Sequence, residues 1–113
     1  MIQFKLNEKP LSQNEAFQGR RFKSPAYKNY EQTILLTMPK GKIDAEQMLR
    51  IEFFFGFSNK ASDLDNPVKL LLDIAQKKYS FNDKNVFELN VRKCIVKKGD
   101  EFIQMGIYKL LPF

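Results

Sequence analysis

Histidine and tryptophan are absent from this chain, and cysteine occurs once. Without histidine there is no Ser–His or Cys–His nucleophile, no imidazole general base and no imidazole-bound metal. A lone cysteine, Cys94, excludes an internal disulfide and any cysteine-built zinc site. Within the strand-like run "VRKCIV" it reads as a small buried hydrophobe. Any catalysis therefore falls to carboxylates, lysines, tyrosines or a metal. Long apolar runs are also missing: "IEFFFGF" and "VKLLLDIA" fall far short of the ~20 residues a membrane span needs. The opening "MIQFKLNEKP" has no basic stretch leading into an apolar one, so no export signal is expected and a cytoplasmic protein is the default.

What is present suits a folded chain. Of 113 residues, 43% are hydrophobic and 28% charged, enough for one core but not two, so residues 1–113 read as a single domain. The net charge is +6 and the isoelectric point about 9.5, which favours a polyanionic partner. No basic amphipathic helix stands out, so nucleic acid comes before membrane.

"IQFKL" alternates, with Ile2, Phe4 and Leu6 on one side, and predicts a first strand. A long loop follows. Ser24-Pro25 is a helix start, serine as cap and proline in the first turn, for a helix through "AYKNYEQTILLT" that stops before Pro39. "QMLRIEFFFGF" predicts a central strand, and "NVFELNVRKCIV" and "DEFIQMGIYKL", flanking Lys97-Lys98-Gly99, predict a closing hairpin. The expected fold is α+β: a mixed, mostly antiparallel sheet of about four strands with two main helices.

The second helix, predicted from Asn66 to about Lys78, carries Pro67, Val68, Leu70, Leu71, Leu72, Ile74 and Ala75 on a broad apolar face. Asn66, Lys69, Asp73 and Gln76 make a narrow polar stripe opposite. At its head stands "ASDLDNPVK". Asp63 and Asp65, spaced D-x-D, project the same way if the loop is extended, and two such carboxylates repel unless a cation lies between them. An EF-hand is excluded, because the required turn glycine falls on Val68 and the bidentate glutamate on Ile74. The alternative is that Asp63 or Asp65 caps the helix.

Together, "DLDNPVKLLLD" at 63–73 and "FNDKNV" at 81–86 resemble the RusA family of Holliday junction resolvases. The family's pattern is D-x-D-N-x-x-K-x-x-x-D, then a second acidic cluster before the last two strands. "SQNEAFQGRRFKSPAYKNY" at 12–30 is similar to the family's N-terminal loop and helix start, so the likeness spans nearly the whole chain. The resemblance implies a metal-dependent endodeoxyribonuclease that resolves four-way junctions and other branched DNA by paired nicks, bacterial or phage-encoded and nucleoid-associated. It implies that Asp63, Asp65 and Asp83 hold the metal, that Lys69 is catalytic, and that Asn66 and Asp73 support them. Asn82 departs from the pattern, since many members carry an aspartate there.

The chemistry is coherent with that. Mg²⁺ or Mn²⁺ held by three aspartates lets water cut a phosphodiester with no histidine, and Lys69 one turn into the helix can stabilise developing charge. Its plainer role is an i,i+4 partner for Asp65 and Asp73, worth ~0.3–0.5 kcal/mol. "FQGRRFKSPAYKNY" supplies Arg20, Arg21, Lys23 and Lys28 with four aromatics and no acid, suited to phosphate contacts, with Phe17 or Phe22 as a wedge at a branch point or as core. Lys77, Lys78 and Lys84 surround the acidic cluster as further DNA contacts or as solvated surface. A four-way junction offers two strands of like polarity, so a homodimer with two sites fits its symmetry, as the family also implies. Two rival readings are a non-catalytic branched-DNA-binding protein and an unrelated metal phosphodiesterase.

Overall fold

The computed structural model describes residues 2–18 and 22–111. Strand β1 (Ile2–Leu6) leads through a short helix α1 (Gln13–Ala16) into two two-residue strands, β2 (Phe17–Gln18) and β3 (Phe22–Lys23), paired antiparallel. Helix α2 (Pro25–Thr37), strand β4 (Leu49–Phe57), helix α3 (Val68–Tyr79), a 3-10 turn (Asp83–Asn85), strand β5 (Val86–Ile95) and strand β6 (Phe102–Lys109) follow. The four long strands form one sheet in the order β1-β6-β4-β5, with only the β4–β5 pair parallel. This is the expected α+β fold with a mixed, mostly antiparallel sheet. Among the described residues, no helix is long and apolar enough to cross a membrane.

The sheet has one dry face. Along β4, Leu49, Ile51, Phe53, Phe55 and Phe57 are buried, while Arg50, Glu52 and Phe54 between them are half-exposed. The buried set joins Ile103, Met105 and Ile107 of β6, Tyr27, Tyr30 and Ile34 of α2, and Val68, Leu70, Leu71, Ile74 and Ala75 of α3 in one core. The helices therefore cover one side. The other stays open, with Arg92 over Phe54 and Arg50 over Tyr108. Ile2, Phe4 and Leu6 do point to the core, as their alternation predicts.

The closing hairpin is not formed. β5 and β6 are both strands, but β4 lies between them, parallel to β5 and antiparallel to β6. The most apolar strand gains a full ladder on both edges this way. Crossing it requires a span of only ~10 Å, two inter-strand spacings, which the connection 96–101 covers. Gly99, at φ +100, takes the left-handed turn that this connection needs. Cys94 is half-exposed rather than buried, because β5 is an edge strand.

Candidate active site

Two segments carry the acids, and α3 runs between them. In the loop after β4, the Asn59 side chain accepts the Ala61 N–H at 2.8 Å and its carbonyl accepts that of Ser62 at 3.2 Å. Lys93 of β5 donates to the Ser62 carbonyl at 2.7 Å, tying the loop to the sheet edge beside Asp63. The chain then bends through Leu64–Pro67 into the helix, so the extended D-x-D conformation does not hold. Asp63 and Asn66 line a cleft of about 360 Å³ with Lys9, Ser12, Glu15 and Glu101, and Asp65 does not. Nor does either aspartate side chain cap α3: the helix starts one residue after Pro67 with no side-chain cap. Only the Asp65 main-chain carbonyl takes part, accepting the Val68 N–H at 3.1 Å.

The apolar face of α3 lies as the helical period predicts, with Leu72 only half-buried, and the helix spans Val68–Tyr79 rather than starting at Asn66. At its far end Ser80 adopts a left-handed conformation (φ 60, ψ 30) and donates its N–H to the Gln76 carbonyl at 2.9 Å. That turn sends the chain back along the polar stripe. Asn82 caps the 3-10 turn through its side chain, accepting the Lys84 N–H at 3.0 Å, a role asparagine fills as well as aspartate. Asn85 anchors the turn to the Ala45 carbonyl at 2.7 Å. The Asp83 N–H donates to Gln76 Oε1 at 3.0 Å, so the helix stripe fixes the backbone of this acid directly.

Lys69 joins the two segments' chemistry. Its Nζ lies 3.2 Å from Asp73 Oδ1 and 3.4 Å from Asp83 Oδ2. The hydrogen bond and charge of Asp73, and then those of Asp83, push the lysine's pKa up, so it stays protonated at neutral pH. It is a fixed positive charge, not a proton acceptor. The structure thus brings Lys69, Asp73, Gln76 and Asp83 together, and sets Asp63 with Asn66 at the head of the same helix. Among the described residues, no three acidic side chains stand close enough to share a metal ion. Asp63 and Asp65 enter no ion pair there.

The basic residues divide. Lys23 and Lys77 converge on one oxygen of Glu31, at 3.1 and 2.9 Å. Burial works against the Glu31 charge, but the hydrogen bonds from Lys77 and Lys23 outweigh it and hold its pKa below the ordinary 4.5. Lys78 donates to the Leu35 carbonyl at 3.1 Å and acts as a tie between the helices. Lys28 and Lys84 are exposed and make no ion pair among the described residues. Arg20 and Arg21 lie outside the described residues, as does the Phe22 side chain. Phe17 packs edge-on to Tyr27, ring centres 5.5 Å apart. Sequence reasoning missed Glu31, Lys93 and Asn85 as positioning residues, since each acts on a partner distant in the chain.

A family model described as endodeoxyribonuclease RusA matches residues 7–105. A search of curated proteins found no match.

Proposed function

The chain belongs to the RusA endodeoxyribonuclease family, whose members resolve Holliday junctions, and on that premise we propose that residues 1–113 form one nuclease domain that cuts four-way and other branched DNA by paired nicks during recombination and repair. Asp63, Asp65 and Asp83 would hold a divalent ion, Mg²⁺ or Mn²⁺. By type, though not by the positions they hold here, these donors fit such an ion: carboxylate oxygens without imidazole are what a hard cation selects. Such an ion would supply a water of lowered pKa and neutralise charge developing on the phosphate.

The chain's own residues do the rest. Asp63 and Asp65 leave their carboxylates uncommitted at the head of α3. Gln76 holds the Asp83 backbone, and Lys69 lies 3.4 Å from the Asp83 carboxylate that would help hold the ion. Asp73 directs Lys69 along the stripe, where its ammonium stabilises the scissile phosphate or the leaving oxygen. Lys28 and Lys84, with Arg20, Arg21, Lys23, Lys77 and Lys78, contact the DNA backbone. Two copies related by a two-fold axis place one such site on each of two symmetric strands. The domain acts in the cytoplasm, on nucleoid DNA of a bacterium or its phage.

The observation that carries this reading is Lys69 bridging Asp73 and Asp83, since it links the helix stripe to the second acidic segment across 14 residues of sequence. A synthetic four-way junction incubated with Mg²⁺ or Mn²⁺ tests it. Paired nicks in opposite strands are expected, with linear duplex left intact and no cutting in chelator. Junction bound but never cut would replace this reading with non-catalytic DNA binding, and cutting that persists in chelator would remove the metal.

A further inference from the structure

The two edges of the sheet are built differently. β1 has five residues, includes Lys5 and leads into a loop with Pro10. β5, at ten residues the longest strand, bonds to β4 on one side only, and along its other side no strand pairs with it among the described residues. Such a free ladder is a template for another strand. On β5, Phe87, Leu89 and Ile95 are 58%, 45% and 46% exposed, an apolar display that a solvated edge does not need.

The strand also complements itself. The pairing with β4 fixes its faces: Glu88, Asn90 and Arg92 lie level with Arg50, Glu52 and Phe54 on the open side, Leu89 and Val91 with Ile51 and Phe53 on the helix side. Two antiparallel copies centred on Asn90 set Glu88 of each opposite Arg92 of the other, and Leu89 opposite Val91. A slip of two residues, the smallest that keeps every side chain on its own face, sets Glu88 against Asn90 or Cys94 instead. One register alone matches both charge pairs.

We propose that a second copy of this chain docks antiparallel on the outer edge of β5 in that register, joining two four-stranded sheets into one. The contact is isologous, with the same patch on both copies, as a two-fold dimer requires. This names the surface of the dimer proposed above and so rests on that reading. It also couples assembly to the site, because Lys93 of the same strand holds the Ser62 carbonyl beside Asp63.

Sedimentation of the full chain over a range of concentrations tests the proposal, using wild type, Glu88→Arg, Arg92→Glu and the double exchange. Neither residue belongs to the cutting machinery. Each single reversal turns two cross-strand attractions into repulsions, so the dimer dissociation constant should rise at least roughly tenfold. The double exchange should return it to within about threefold of wild type, which loss of folding cannot mimic. A dimeric wild type with unaffected single variants, or a double variant no better than the singles, overturns this surface and leaves the two-fold dimer standing on another. A wild type that is monomeric throughout overturns both.

Discussion

The two main helices begin in opposite ways. At α2, the buried Ser24 Oγ accepts the Tyr27 N–H at 3.1 Å and donates to the Glu15 carbonyl at 2.7 Å, with Pro25 in the first turn. At α3, Asp63, Asp65 and Asn66 all precede the helix and all are residue types that cap well, yet no side chain caps it. A cap stabilises by ~1 kcal/mol, and here that gain is forgone with three candidates at hand. One terminus is built for stability. The other leaves its acids unengaged beside a positive helix end, the kind of local rule-breaking expected at a functional site.

Substitutions at the two termini should therefore separate chemistry from stability. The largest effect is expected from Asp65→Asn, which should slow junction cleavage by at least ~10²-fold, the scale on which losing one preorganised charge partner slows a reaction. Junction affinity should survive, and the melting temperature should change little, because this carboxylate caps nothing. Normal cutting by the variant would overturn the metal assignment. Lys69→Ala comes next, with cleavage down roughly 10- to 100-fold and affinity little changed. The pairs it loses are exposed, so stability should fall by no more than ~0.5 kcal/mol. A lysine acting only as a helix pair would leave the cleavage rate untouched. Ser24→Ala should do the reverse, lowering unfolding free energy by ~1–2 kcal/mol in denaturant titration while cleavage per folded molecule stays constant.

That contrast was only half legible in the sequence. The Ser24-Pro25 start, the alternation of β1 and the apolar face of α3 are local patterns, and each appears in the fold where its period places it. The polar stripe was legible too, since Lys69, Asp73 and Gln76 follow helical spacing. What escaped depends on contacts between distant residues. The hairpin expectation failed because Lys97-Lys98-Gly99 marks a turn without saying what lies beneath it, and β4 does. The extended D-x-D failed at Leu64–Pro67, where the chain bends on its way into α3. The Lys93–Ser62 and Asn85–Ala45 bonds span 31 and 40 residues, so no spacing rule reports them.

Glu31 sharpens the comparison most finely, because it bridges the two helices and holds two of the nominated DNA-binding lysines. Its pKa is depressed, so its stabilising contribution is complete above the ordinary 4.5 and is lost as pH falls through the lower folded value. Glu31→Gln should thus cost ~0.5–1 kcal/mol at neutral pH. The gap from wild type should close in denaturant titrations carried progressively below pH 4.5. The same change releases Lys23 and Lys77 from their shared carboxylate. If those ammonium groups reach phosphates, junction affinity at neutral pH should rise while stability falls, and its salt dependence should steepen by up to about two phosphate contacts. An unchanged salt slope alongside the stability loss would make Lys23–Glu31–Lys77 a strut between α2 and α3, and confine the backbone contacts to Lys28, Lys78, Lys84, Arg20 and Arg21.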